Sequence, residues 1–198
     1  MQDGKVTITE RDITTNLPYV AGAHLVFDHH ASETLRNAGE RPKNYIIYPG
    51  APSAARVVYE CYGGKSRFPD SFDAMMIAVD KSDAAEFTHD EIMNPEGWVL
   101  LNYLMDSRTG LGRFREFRVS NYQLMMDLIK YVRDHTIDEV LALPDMVERV
   151  TLYMEHAQKA KEQIRRCTTV HKNLAVLDLR NEETIFAVNR FMVYALFP

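Results

Sequence analysis

Three consecutive side chains, Asp28, His29 and His30, combine one carboxylate with two imidazoles. Such a set can ligate a divalent ion, carry protons near neutral pH, or hydrogen-bond a phosphate oxygen. The triplet follows the apolar run Leu25-Val26-Phe27, which reads as a short buried strand and places the three groups at its carboxyl end. Open α/β sheets bind ligands there. Successive side chains on a strand point to opposite faces, so all three can meet one ligand only where the strand has ended and the chain is turning. Farther along, a helical stretch from Ala74 to Val79 leads into Asp80 and Asp83, two carboxylates that a second strand-distal loop could bring to the same place. Oxygen ligands beside imidazole suit a hard or borderline ion such as manganese, and the lack of a nearby thiolate argues against structural zinc. The bland alternatives are surface histidines at a strand end and solvated aspartates at a helix end.

The elements that must position these groups follow from periodicity and punctuation. Val6–Thr9, Ile13–Asn16 and Ala23–Phe27 are short apolar stretches between turn residues, and Tyr45–Tyr48 reads as a strand stopped by Pro49-Gly50. Ser53 predicts an N-cap for a helix carrying Ala54, Val57, Val58 and Cys61 on one face, closed by Gly63-Gly64. Ser71 is the expected cap of a second helix with Phe72, Met75, Met76 and Val79 at core spacing. Asn94-Pro95 is expected to open a helix running through Met105, and Ser120 with Gln123 has capping-box form. Pro144 begins a long helix to Arg166, whose charged stretch from Glu155 reads as a solvated face. Leu174–Leu179 then reads as a strand, and Arg180–Glu183 as a turn. The expected fold is α/β. A parallel sheet with flanking helices reaches to about residue 90 and a helical portion to about 168, giving one domain over 1–168 and the start of a smaller α/β domain over 169–198.

Composition bounds the function. The 198 residues are 46% hydrophobic and 26% charged, the balance of a globular chain rather than a disordered one. A net charge of −5 and a pI of 5.8 argue against duplex nucleic acid as a partner, which needs a basic footprint. Only Cys61 and Cys167 are present, so no disulfide framework is expected. No secretory h-region and no apolar run of about 20 residues occurs, so neither export nor a membrane partner is expected, and the cytoplasm is. Gly110-Leu111-Gly112 lacks the spacing of a phosphate loop. Arg113–Val119 alternates arginine with phenylalanine, a pattern of a half-buried strand or of a phosphate-contacting segment.

Taken in order, Leu25–Glu33, Ala51–Tyr59 and Ala78–Asp83 resemble the DHH superfamily of phosphoesterases, and most of all its exopolyphosphatase-related members. The resemblance runs over nearly the whole chain. It implies a dinuclear centre, commonly manganese, that positions water for attack on a phosphoanhydride or phosphodiester. On that model His29 ligates metal, His30 contacts the substrate phosphate, and Asp28 orients the imidazoles or shares the metal. Asp80 or Asp83 completes the set. Two ions would lower the pKa of bound water and neutralise charge on the phosphoryl group.

Three departures accompany the resemblance. The family's opening strand with its Asp-x-Asp motif is expected upstream of this sequence. The strand end where a further aspartate is expected carries Asn16, with Asp12 as a poorer substitute, and the glycine-rich histidine motif of the C-terminal domain is not reached. A first strand missing from the sheet would expose an edge and favour a homo-oligomer. The expected activity is metal-dependent hydrolysis of polyphosphate, pyrophosphate, a short oligonucleotide or a cyclic dinucleotide. The competing expectation is an inactive module that holds a metal or an anion.

Overall fold

A computed structural model describes residues 6–36, 39, 42–106 and 116–198. The chain forms two compact units, Met1–Glu86 and Phe87–Pro198, so residues 169–198 fall within the second.

The first unit is built on three parallel strands in the order β1 (Ile13–Thr15), β2 (Leu25–Asp28), β3 (Tyr45–Ile47). β2 is central, which explains why its sequence is a continuous apolar run rather than an alternation: both faces are covered. Val26 and Phe27 are fully buried, and Val26 joins Ala23, Tyr45 and Ile47 in a cluster flanked by Ile8 and Tyr19. Val6–Thr9 forms no strand. Its last residue instead opens a turn, with the Thr9 amide and hydroxyl both donating to Asp12 Oδ2 at 2.8 Å.

Among the described residues, three α-helices pack in this unit. α1 (Ala31–Arg36) starts directly after the histidines. α2 (Ala54–Cys61) is capped as expected, Ser53 Oγ accepting from the Arg56 amide at 3.0 Å. Its inward residues are Ala54, Val57 and Tyr59, whereas Cys61 is exposed, because the Tyr59 ring stacks on Phe68 at 4.9 Å and turns that face inward instead. α3 (Ser71–Ala84) has Asp70 rather than Ser71 at its N-cap position and ends with Ala85 in the left-handed region, φ 58°.

The second unit holds helices α4 (His89–Met93), α5 (Gly97–Met105), α6 (Asn121–Tyr131), α7 (Ile137–Leu141), α8 (Pro144–Cys167) and α9 (Met192–Leu196), with a hairpin of β4 (Thr168–His171) and β5 (Leu174–Leu177). α8 organises the core: Met146, Arg149, Tyr153, Ala157, Ala160 and Ile164 recur at three- and four-residue steps and are buried. Asn94 closes α4 rather than opening α5, because the Asn94 amide donates to Asp90 O at 2.7 Å. The short helices α4 and α7 are both held by full capping boxes, Thr88 with Glu91 and Thr136 with Glu139. At α6 only half the box forms: Ser120 Oγ accepts from the Gln123 amide, while the Gln123 side chain bonds Asp127.

β5 stops at Leu177, short of the expected Leu179, where Asp178 turns away to bond Arg180. Its partner β4 has no apolar signature, and the two-residue turn between them uses Lys172 at φ 55°.

Arg149 is a charged side chain with no exposure at all. Its guanidinium donates to Asn121 Oδ1, to the Val119 carbonyl and to the Asp145 carbonyl, and lies 4.0 Å from the Phe117 ring centroid. The described part of the arginine–phenylalanine segment is thus structural: Phe117 and Val119 embrace Arg149, and Arg118 pairs with Asp145 at 2.8 Å. Residues 113–115 and Gly110–Gly112 lie outside the described residues.

His156 on α8 meets Phe186 edge-on at 5.1 Å, and burial pushes its pKa below the ordinary 6.5. A folded-state value below the unfolded one means the full stability is present above pH 6.5 and is lost as pH falls towards the folded value. Thermal melts between pH 7.5 and 5.5 should therefore show a fall in stability that His156→Gln makes shallower. An unchanged slope in the variant would refute this.

Candidate active site

The site is built where β2 ends. Asp28 pairs with Ile47 in the sheet, and the Tyr48 amide donates to the Asp28 carbonyl at 3.1 Å. Beyond this point the carboxylate of Asp28 itself bends the chain: Oδ1 accepts from the His29 amide at 2.8 Å and the His30 amide at 3.3 Å. An aspartate that bonds the following backbone in this way makes a turn. The strand has therefore ended, and the two imidazoles escape the alternation that would have sent them to opposite faces. Their centroids are 4.6 Å apart.

Asp28 is fully buried, and both its oxygens are occupied. Besides the two amides, Oδ1 lies 2.7 Å from His30 Nδ1, and Oδ2 accepts from the Tyr45 hydroxyl at 3.3 Å. A carboxylate accepts only, so the contact places the His30 proton on Nδ1 and leaves Nε2 outward on a ring that is 50% exposed.

His29 is held differently. Its Nδ1 lies 3.0 Å from the Ala51 carbonyl, an acceptor, which assigns the proton to Nδ1 and the lone pair to Nε2. Nε2 is buried with no hydrogen-bond partner, yet it stands 3.1 Å from Asp83 Oδ2. The distance is short enough for an ion pair, but the angular requirements of a hydrogen bond are not met. Nε2 is therefore orphaned, and two facing lone pairs repel unless a proton or cation lies between them. Two ligands of one octahedral ion, each at about 2.1 Å and at right angles, stand about 3 Å apart. The pair thus fits one end of a metal site.

The other sequence candidates are placed apart from this pair. Asp80 is one turn before Asp83 on α3, but Ser53 Oγ donates to its Oδ1 at 2.7 Å, and Arg56 donates to its Oδ2 through Nε at 2.9 Å and through a second guanidinium nitrogen. The same bond raises the Arg56 pKa. Asp12 is drawn into its own turn by Thr9, which lowers its pKa. Asn16, at φ 58°, ends β1 and donates its amide to the Phe27 carbonyl. No group of three or more His, Cys, Asp and Glu side chains able to hold a metal occurs among the described residues. The residues present therefore fit a single ion held by His29 and Asp83. Among the described residues no second set of such donors stands beside it.

Sequence reasoning did not find the Ala51 carbonyl, Tyr45, or the Ser53–Arg56–Asp80 cluster. The last left a readable trace, since Ser53 and Arg56, like Asp80 and Asp83, are spaced to share a helix end or face.

No family model and no curated protein matches the chain. Among solved structures it is similar to the pGpG-specific phosphodiesterase PggH of Vibrio cholerae, with 59% sequence identity and a TM-score of 0.90. The match covers 100% of this chain and 63% of that one. The chain thus spans less than two thirds of the length of the protein it matches. The likeness is to a phosphodiesterase, and it does not single out the exopolyphosphatase-related proteins that the sequence resembles.

Proposed function

We propose that the chain provides the metal-holding part of a phosphodiesterase acting on a short linear dinucleotide such as pGpG. The observation that carries the reading is the buried, unpartnered Nε2 of His29 facing the Asp83 carboxylate at 3.1 Å. The likeness to a pGpG-specific enzyme supports the substrate class. A divalent ion, manganese by the donor chemistry, would be held by His29 and Asp83 and would supply an activated water and charge neutralisation.

The remaining work belongs to the chain's own groups. Asp28 fixes the His30 ring through Nδ1, so that its exposed edge is held in one orientation toward an incoming phosphate group. The Ala51 carbonyl keeps the His29 proton away from Nε2. Ala51 and Tyr48 close a turn, the Ala51 amide donating to the Tyr48 carbonyl, and this turn carries the acceptor.

The test is hydrolysis by the purified chain, with and without manganese, across pGpG, pyrophosphate, polyphosphate and a cyclic dinucleotide. Manganese-dependent conversion of pGpG to two GMP, faster than turnover of the others, is the expected result. Preference for polyphosphate would move the reading to the exopolyphosphatase side. A second reading, a metal- or anion-binding module without turnover, is favoured by the absence of a third ligand among the described residues. Manganese binding with no hydrolysis of any substrate would establish that reading instead.

A further inference from the structure

Asp80 and Asp83 sit three residues apart on α3, so they share a face and lie one turn apart. Only Asp83 reaches His29. Asp80 reaches backward to α2, where its two oxygens take the Ser53 hydroxyl and the Arg56 guanidinium. Ser53 is also the N-cap of α2, so the same hydroxyl holds the Arg56 amide. The third guanidinium nitrogen of Arg56 leans on Glu60 at 3.4 Å, so every nitrogen of this side chain is engaged within the protein.

We propose that Asp80 is a positioning residue: with Ser53 and Arg56 it forms a clamp that sets the Ala51 carbonyl and the Asp83 carboxylate on the two nitrogens of His29. One arm of the clamp runs from Ser53 back two residues to Ala51, whose carbonyl meets Nδ1 at 3.0 Å. The other runs one helical turn along α3 from Asp80 to Asp83, whose carboxylate meets Nε2 at 3.1 Å. Without the clamp, rotating α3 or withdrawing the start of α2 would move one partner off the ring and leave the other. The clamp makes the two contacts depend on each other. This inference rests on the reading of His29 and Asp83 as metal-holding residues, and it departs from any scheme in which Asp80 is itself a ligand.

Arginine does not ligate a cation, and this separates the two roles of Asp80. Manganese affinity is measured by titration calorimetry on the full chain for Arg56→Ala, Asp80→Ala and the double variant. Circular dichroism checks folding. A clamp predicts that each single change weakens binding about 10–100-fold, the usual effect of a group that orients a ligand, and that the double variant is no weaker than Asp80→Ala alone. If Asp80→Ala abolishes binding while Arg56→Ala binds like the parent chain, Asp80 is a ligand and the proposal is overturned.

A second readout needs no metal. The ring 15N shifts of His29 in the metal-free chain should report the Nδ1–H tautomer, and Arg56→Ala or Ser53→Ala should shift it toward a mixture. A tautomer unmoved by both changes also overturns the clamp. Should the parent chain bind no manganese, the proposed function fails, and the tautomer measurement still decides the clamp. Should Asp80→Ala not fold, Arg56→Ala and Ser53→Ala carry the same test.

Discussion

His29→Ala is expected to cut manganese affinity by at least about 100-fold, since even groups that only orient a ligand are worth about 10–100-fold. Hydrolysis should disappear with it. The reason lies in how the ring is held: Nδ1 is fixed by a main-chain carbonyl, and Nε2 is buried, unpartnered and opposed to a carboxylate. No other imidazole takes its place, because His30 turns its Nδ1 to Asp28 and its other edge to solvent. Stability should hardly change, because the lost bond of about 1 kcal/mol is offset by removal of a buried nitrogen left without a partner. His30→Ala is the matched control, expected to keep metal binding and lose turnover. Calorimetry and a pGpG assay on both variants decide the matter. Undiminished manganese binding by the His29 variant would remove the basis for placing metal there.

Arg149→Ala should have the largest effect on folding. The guanidinium is fully buried and satisfies the Val119 carbonyl, the Asp145 carbonyl and the Asn121 side chain, while stacking on Phe117. Truncation leaves acceptors in an apolar setting and opens a cavity, at a combined cost of about 3–4 kcal/mol. For a chain of this size each kcal/mol lowers the melting temperature by roughly 2–4 °C, so a fall of roughly 6–16 °C is expected. Arg149→Lys should recover little, since an ammonium cannot reach all of these acceptors from one position. Burial lowers the Arg149 pKa, as expected of a cation withdrawn from water. A variant that melts within 2 °C of the parent, by this ~2–4 °C scale, would show that the network contributes little.

The sequence revealed the end of β2 better than the contacts around it. The apolar run of β2 and the triplet after it located the strand end correctly, because a buried central strand and a turn-forming aspartate both have local signatures. The choice between Asp80 and Asp83 could not be made locally, since both lie on one face of α3, and what separates them is the distant pair Ser53 and Arg56. Arg149 illustrates the same limit. An arginine on a charged helix reads as solvated, and its acceptors, Asn121 and the Val119 carbonyl, come from a different part of the chain. β4 was invisible because Thr168–His171 lacks an apolar alternation, and the exposure of Val170, Leu174 and Val176 shows that hairpin packing does not impose one. α4 and α7 are too short for periodicity to be read, yet their Thr-x-x-Glu boxes are plain in the sequence once the caps are sought.

The acceptor that orients His29 is the main-chain carbonyl of Ala51, and every amino acid carries one. Any side chain the turn admits at position 51 leaves that oxygen where it is. A saturation scan of single substitutions would then record position 51 as tolerant, although it faces the most constrained imidazole in the unit. Permissiveness in such a map is a property of the alphabet of side chains, and it says nothing of how much a position's backbone contributes to the chemistry beside it.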